Sequence, residues 1–147
     1  MVQMKYALLL VEDSPDDEML SLRAINSCGI PCSVQVARHG GEAVQALLSS
    51  EIPTPDLVVL DFHLPGLDGI DILRELRKHE KTRHVPVVML SSLASDSQVL
   101  DCSEEGANSF VEKPIEASTY VEQVALIVRY WFTVDKRPDY DPSRSLR

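Results

Sequence analysis

The sequence is poor in basic residues, and its apolar runs are short. Only 14 lysines and arginines stand against 23 aspartates and glutamates, which leaves a formal net charge of −9. A chain of this charge repels the phosphates of DNA and RNA, so we do not expect direct binding to nucleic acid. The apolar run at residues 6–11 stops at Glu12 and is too short for a membrane span or a secretory signal. These features favour a cytoplasmic protein.

Cysteine is also scarce. Cys28, Cys32 and Cys102 form an odd set without a CxxC pair. This pattern argues against both a disulfide framework and a zinc site. The simplest interpretation is that the three thiols are small apolar side chains of the core.

Short apolar runs alternate with segments of helical spacing along the chain. The runs predict five strands, at residues 6–11, 34–37, 57–60, 85–90 and 109–111, each buried on both faces. A first helix is predicted over residues 15 to about 28, because Ser14 suits its N-cap and Pro15 its first turn. Gly29 follows its end, and Asp16 and Asp17 lie near its positive pole. The alternation predicts an α/β fold: a (βα)5 flavodoxin-like, doubly wound parallel five-stranded sheet with strand order 2-1-3-4-5.

Acidic residues follow two strands that are neighbours in this order. Glu12 and Asp13 come after the first strand and Asp61 after the third, so all three should share a pocket beyond the carboxyl ends of the strands. Close carboxylates repel one another by roughly 4 kcal/mol for each pair, and a divalent cation such as Mg²⁺ or Mn²⁺ would remove that cost. We predict Asp13 and Asp61 as direct metal ligands, Glu12 as a ligand through water, and the backbone carbonyl of His63 as a further ligand.

Three residues could carry phosphoryl chemistry in this pocket. A carboxylate such as that of Asp61 needs no activating base to act as nucleophile. Lys113, after the fifth strand, can place a positive charge opposite a phosphoryl oxygen, and the hydroxyl of Ser91, after the fourth strand, can donate to another. If the lysine must be turned inward, its bond to Pro114 would be cis.

Individual residues disfavour two other activities on similar sheets. A phosphatase of the haloacid dehalogenase type needs a second Asp two positions after its nucleophile, and His63 stands there. A flavodoxin-like FMN carrier needs a glycine- and hydroxyl-rich loop after the first strand. Residues 12–17 instead carry several acids, which would repel the FMN phosphate.

In its strand-end motifs the chain resembles the receiver domains of bacterial response regulators, the CheY-like family. The matching pieces are Val11-Glu12-Asp13, Asp61 with Leu64-Pro65 and Asp68-Gly69, Ser91-Ser92, and Phe110 three residues before Lys113-Pro114. They span residues 5–132. The resemblance implies that Asp61 is the phosphoacceptor of a sensor histidine kinase in a two-component system, and that magnesium supports the reaction.

The same resemblance implies an output by conformational change. Ser91 and Phe110 would act as the switch that couples the phosphate to the surface formed by the fourth helix, the fifth strand and the fifth helix. Residues 95–106 contain few large apolar side chains, so a helix there would be weakly docked and able to shift. We therefore expect a single-domain response regulator that is a phosphoacceptor and not an enzyme, apart from self-catalysed phosphorylation and dephosphorylation. Its receiver domain would cover residues 1–134, and residues 135–147 would form a polar tail with no output domain.

An alternative function stays open at this point. A protein-interaction or scaffold module on the same fold could keep the acidic pocket while its output does not depend on phosphorylation. Incorporation of label from a small-molecule phosphodonor would separate the two hypotheses.

The predicted fifth helix carries a second apolar line beside its core face, made of Tyr120, Ile127, Trp131 and Val134. An exposed aromatic patch usually marks a protein interface, so we predict a symmetric homodimer through these residues. The ending Tyr-Trp-Phe, followed by a short tail with prolines, also resembles the small response regulators that partner bacterial phytochromes. This likeness implies a bacteriophytochrome as the histidine kinase, while the downstream protein target stays unidentified.

Overall fold

Five strands alternate with five α-helices in the computed structural model, which describes residues 6–136. The strands are β1 (Tyr6–Val11), β2 (Cys32–Ala37), β3 (Leu57–Asp61), β4 (Val87–Ser91) and β5 (Ser109–Glu112). The helices are α1 (Pro15–Ser27), α2 (Gly40–Leu48), α3 (Gly69–Lys78), α4 (Asp96–Glu104) and α5 (Ala117–Arg129). The predicted order of elements is therefore confirmed.

The strands form one parallel sheet in the predicted order, β2-β1-β3-β4-β5. β1 and β3 are adjacent, and their register pairs Val11 with Leu60. The next residues along the two strands, Glu12 and Asp61, therefore meet at the same edge of the sheet. This register is what brings the acidic residues together.

Burial differs between the centre and the edge of the sheet. Every residue of β3 and β4 is buried, as expected for central strands that are covered by helices on both faces. In β2, by contrast, Ser33 and Gln35 are exposed. The prediction that all five runs are buried on both faces is wrong for β2 and for β5, whose residues 109–111 are only partly buried, because these two strands lie at the edges of the sheet.

α1 begins and ends where its capping residues predict. Ser14 is the N-cap, and its hydroxyl accepts a hydrogen bond from the backbone N–H of Asp17 at 3.3 Å. Gly29, just beyond the helix, has a φ of +81°, a left-handed conformation that glycine adopts without steric cost. Within residues 6–136, no helix is long and apolar enough to cross a membrane.

α4 contributes little to the core. Ser95 caps its first turn by accepting a hydrogen bond from the Gln98 backbone N–H at 3.2 Å. Cys102 is the one buried residue of this helix, whereas Val99 and Leu100 are exposed. The predicted weak docking of this segment is confirmed.

α5 places one residue of the predicted dimer face in the core. Tyr120 is 2% exposed, and its hydroxyl pairs with the hydroxyl of Ser21 on α1 at 3.1 Å. The prediction that Tyr120 belongs to an exposed face is wrong, because it lies on the same helical stripe as the buried Val124 and Val128. Sequence spacing alone did not assign this residue to the correct side of the helix.

Beyond α5, the chain continues in a π-helical turn at Tyr130–Val134. Phe132 turns inward there and stacks on Tyr6, with ring centroids 4.6 Å apart. Ile127 and Trp131, two further residues of the predicted face, are partly buried against the same core cluster. The aromatic group at the end of the helix is therefore in part a core feature.

The large apolar residues that α5 and the turn leave exposed are Leu126, Tyr130 and Val134. They are spaced by four residues and form one line, which we call the outer stripe. Val134 is the one member of the predicted dimer face on this stripe. Of the predicted polar tail at residues 135–147, residues 137–147 lie outside the described part of the chain.

Candidate functional site

The three predicted acids lie together at the carboxyl edge of the sheet. Glu12 and Asp13 follow β1, Asp61 ends β3, and each offers a carboxylate oxygen within 4.8 Å of the others. Glu12 and Asp61 are buried, whereas Asp13 is exposed. The site therefore has a buried floor and one acid at its rim.

Lys113 reaches the same pocket from the end of β5. Its ammonium nitrogen Nζ lies 2.9 Å from Asp61 Oδ2 and 2.9 Å from Glu12 Oε2. The backbone N–H of Lys113 donates to the carbonyl of Ser91 at 2.8 Å, which fixes the start of the β5–α5 loop. The bond to Pro114 is trans, so the possibility of a cis bond is ruled out in this structure, and the lysine points inward without one.

A fourth carboxylate belongs to the pocket, and the sequence interpretation missed it. Asp17 Oδ2 lies 2.9 Å from Lys113 Nζ, whereas the sequence pattern predicts for Asp17 only a position near the positive pole of α1. Its position three residues after the N-cap Ser14 was the available signal, because that position faces back toward the start of the helix. Nothing local indicated a partner 96 residues away.

Burial and crowding shift the ionisation of the pocket. Burial and the nearby Asp61 together raise the pKa of Glu12 to about 8, although Lys113 opposes this rise. Burial alone would lower the pKa of Lys113, but its bonds to Glu12 and Asp17 and the charge of Asp61 outweigh burial and raise it. The lysine is thus held as a cation among acids that repel one another.

The loop after Asp61 is shaped around the carboxylate. The backbone N–H of His63 donates to Asp61 Oδ1 at 3.2 Å, while the His63 side chain is exposed. Gly69, at the start of α3, packs so closely that a Cβ there would lie 2.3 Å from the Asp61 carbonyl oxygen. The role of the His63 carbonyl as a metal ligand stays a prediction.

Ser91 and Phe110, the predicted switch residues, lie on adjacent strands. Ser91 is fully buried, and its hydroxyl donates to the Leu93 carbonyl at 3.1 Å and accepts from the Leu93 N–H at 3.2 Å. The half-buried ring of Phe110 lies 6.3 Å from the ring of Phe62, the residue after Asp61. The serine hydroxyl is therefore bonded to its own loop, and the phenylalanine packs near the acidic pocket.

This donor set fits a hard divalent cation. Carboxylate oxygens are the protein ligands that Mg²⁺ and Mn²⁺ prefer, and Glu12, Asp13 and Asp61 offer them from one side of the pocket. Burial and the neighbouring Asp61 raise the pKa of Glu12, and a bound cation would relieve this unfavourable environment for the carboxylate. The residues present therefore suit the predicted metal.

Comparison with known proteins places the chain in a family. The family model for the response regulator receiver domain matches residues 8–125. A probable methanogenesis regulatory protein, FilR2 of Methanothrix harundinacea, is 30% identical over 136 residues, which cover 90% of this chain and 88% of that protein. Among solved structures, the phosphorylated cyanobacterial phytochrome response regulator RcpA has a TM-score of 0.86 at 27% identity, with 91% of this chain and 99% of that chain covered.

The Mn²⁺-bound form of the response regulator Rcp1 is similar, with a TM-score of 0.85 at 26% identity and coverage of 90% of this chain and 99% of that chain. The matched range contains every strand-end residue of the acidic pocket, from Glu12 to Lys113. Receiver domains are phosphoacceptors of two-component systems rather than conventional enzymes. The chain belongs to the response regulator receiver domain family.

Proposed function

We propose that Asp61 accepts a phosphoryl group from a sensor histidine kinase. The observation that carries this proposal is the 2.9 Å contact of Lys113 Nζ with Asp61 Oδ2, beside the carboxylates of Glu12 and Asp13. Phosphoryl transfer depends on positioning and on stabilisation of charge. A carboxylate nucleophile, a cation across from it and oxygen ligands for a metal supply these requirements.

In the proposed step, one carboxylate oxygen of Asp61 bonds to phosphorus while the bond from phosphorus to an imidazole nitrogen of the donor breaks. The electron pair of the broken bond stays on the imidazole. Lys113 would pair with one phosphoryl oxygen, and Ser91 would donate to another. Glu12, Asp13 and Asp61, with the His63 carbonyl, would hold Mg²⁺ or Mn²⁺, which neutralises phosphoryl charge when bound.

The hydrogen bonds of Ser91 support a route from the phosphate to the surface. To donate to a phosphoryl oxygen, its hydroxyl must leave the Leu93 carbonyl, which it now contacts at 3.1 Å. The loop before α4 would lose that bond, and Phe110 could move into the space that Ser91 leaves. Leu93 and Leu100 are exposed on this side, which supports binding of a partner protein there.

Assembly and partners follow from the same proposal. The outer stripe (Leu126, Tyr130 and Val134) with the flanking Ile127 and Trp131 would form the homodimer interface, in place of the predicted face that included Tyr120. The likeness to a phytochrome response regulator supports a bacteriophytochrome as the histidine kinase. We place the protein in the cytoplasm, and its phosphate would be lost by self-catalysed hydrolysis.

Labelling by a small-molecule phosphodonor with Mg²⁺ tests the acceptor. Wild type should incorporate one phosphoryl group and Asp61→Asn none. Asp56→Asn changes an acid just before β3, at the amino edge of the sheet and remote from the pocket, and should behave as wild type. Equal labelling of wild type and Asp61→Asn would reject the assignment. Absence of label in both would instead favour the phosphorylation-independent interaction module.

Beryllofluoride tests the switch. With Mg²⁺ it should shift the NMR resonances of Phe110 and of residues 95–106, and Ser91→Ala should reduce the shift in α4 while binding at Asp61 persists. Unchanged resonances in α4 of the saturated wild type would contradict the proposed coupling.

A further inference from the structure

Asp17 is the pocket residue that the proposed function leaves without a role. Lys113 Nζ contacts Glu12, Asp17 and Asp61, each at 2.9 Å. An ammonium group has three N–H donors, so these three carboxylates occupy all of them. A phosphoryl oxygen can therefore receive a bond from Lys113 only if one carboxylate gives up its own.

The first turn of α1 leaves the Asp17 carboxylate available for this contact. In a capping box, the acid three residues after the N-cap accepts from the N-cap backbone N–H. Here the Ser14 N–H donates instead to Glu12 Oε1 at 3.1 Å. The Asp17 backbone N–H still donates to the Ser14 hydroxyl, which holds the residue in place while its carboxylate faces the lysine.

The three carboxylates that contact Lys113 differ in how unfavourable it is for each to lose that contact. The Glu12 and Asp61 side chains are 1% and 7% exposed, whereas that of Asp17 is 30% exposed. A buried carboxylate that loses its cation stays uncompensated, but a partly exposed one can be solvated by water. Asp17 is therefore the partner that can be exchanged.

We propose that Asp17 is a positioning residue that holds Lys113 in the unphosphorylated protein and yields its place to a phosphoryl oxygen. This inference rests on the proposed function of Asp61 as phosphoacceptor. Asp17 competes for the ammonium and also repels the incoming dianion. It thereby weakens the binding of phosphoryl groups, and its removal strengthens that binding.

Asp16 provides a matched control. It is the adjacent acid in the same first helical turn, and it is exposed. Asp16→Asn and Asp17→Asn therefore each remove one negative charge from the N-terminal turn of α1. They differ because Asp17→Asn also alters the contact with Lys113. Asp17→Glu keeps the charge and can restore the contact.

Titration with beryllofluoride at fixed Mg²⁺ measures the competition. The half-saturating concentration should fall roughly fivefold in Asp17→Asn, as expected for loss of one partly exposed ion pair, and it should change little in Asp16→Asn. Asp17→Glu should return it toward the wild-type value. The folded NMR spectrum of each variant provides the check that the fold is intact.

A second readout needs no phosphoryl group. The ¹⁵N-labelled side-chain ammonium of Lys113 should exchange its protons slowly in metal-free wild type, because every N–H is bonded. Exchange should be faster in Asp17→Asn and unchanged in Asp16→Asn. A residue that merely supports α1 would not produce this difference.

The outcomes separate the two proposals. If Asp17→Asn and Asp16→Asn match in both measurements, the role of Asp17 is overturned while the acceptor assignment stands. If wild type binds no beryllofluoride and takes no label at Asp61, the proposed function is wrong. The proposed replacement of Asp17 by a phosphoryl oxygen on Lys113 is then wrong as well.

Discussion

The rings of Tyr6 and Phe132 stack with an interplanar angle of 8° and centroids 4.6 Å apart. The first strand is thereby joined to the π-helical turn that ends the described fold. This contact makes the end of α5 part of the core, although Leu126, Tyr130 and Val134 beside it are exposed. The stability of the fold and the assembly of the protein can therefore be separated by mutation.

Truncation of Phe132 should destabilise the protein. Phe132→Ala removes a buried ring and leaves a cavity against Tyr6, which should cost about 3–5 kcal/mol of unfolding free energy. Urea denaturation followed by circular dichroism measures the loss. Tyr130→Ala, on the exposed side of the same turn, is the control and should cost far less; equal losses would contradict the inward position of Phe132.

A negative charge introduced on the outer stripe should abolish the proposed dimer. Leu126→Glu places a carboxylate in that interface, where burial without a partner is unfavourable. Sedimentation velocity should show a dimer for wild type and a monomer for the variant. Met19→Glu makes the same change at another exposed apolar residue, on α1, and should leave the dimer intact. A wild-type protein that is monomeric at tens of micromolar would remove the assembly proposal.

Loss of Lys113 should make stability depend on a divalent cation. Lys113→Gln leaves Glu12, Asp17 and Asp61 without their shared cation. Breaking a buried ion pair in this way typically costs about 3–5 kcal/mol, and added Mg²⁺ should restore part of it. Thermal unfolding in EDTA and in Mg²⁺ measures how much the cation stabilises each protein. This stabilisation should be larger for Lys113→Gln than for wild type. Lys78→Gln, which removes a surface partner of Glu75, should show no added dependence on Mg²⁺.

The space beside the end of β3 should not accommodate a side chain at Gly69. A Cβ there would lie 2.3 Å from the Asp61 carbonyl oxygen and 2.9 Å from the Phe62 Cα, so backbone must move. We expect Gly69→Ala to cost about 1–3 kcal/mol by overpacking and to slow labelling of Asp61. Gly41→Ala, in a helix with a nearest contact of 3.5 Å, should instead be neutral or stabilising. A fully stable, fully labelled Gly69→Ala protein would contradict the close packing.

Arg77 should stabilise the loops beside α4. Its guanidinium donates to the carbonyls of Val85 and Gly106, both at 2.8 Å, and to Asn108 Oδ1 at 3.1 Å. Arg77→Met removes this donor from all three acceptors, at a cost of roughly 2–3 kcal/mol. Hydrogen exchange should rise at residues 105–109. Lys78→Met, which removes an exposed ion pair with Glu75 on the same helix, is the control and should leave that exchange nearly unchanged.

Local patterns sufficed for the order of elements and for the location of the site. Runs of Val and Leu are typical of central parallel strands, and β3 and β4 are buried as predicted. α1 begins after the Ser14 cap and ends before Gly29, as predicted, because capping depends on a few consecutive residues. Polar residues after successive strands had to meet, since parallel strands share one carboxyl edge. Glu12 and Asp61 accordingly do.

Other features depended on contacts between distant segments. Tyr120 faces Ser21 rather than solvent because α5 packs on α1, and a small rotation about the helix axis decides that side. Asp17 joins Lys113 across 96 residues of chain, and helical spacing holds no information about such a partner. The sequence thus determined which residues stand at the strand ends, because hydrophobic period and capping act locally. Only the tertiary structure decided how those side chains share Lys113, because ion pairing requires the packed sheet and helices.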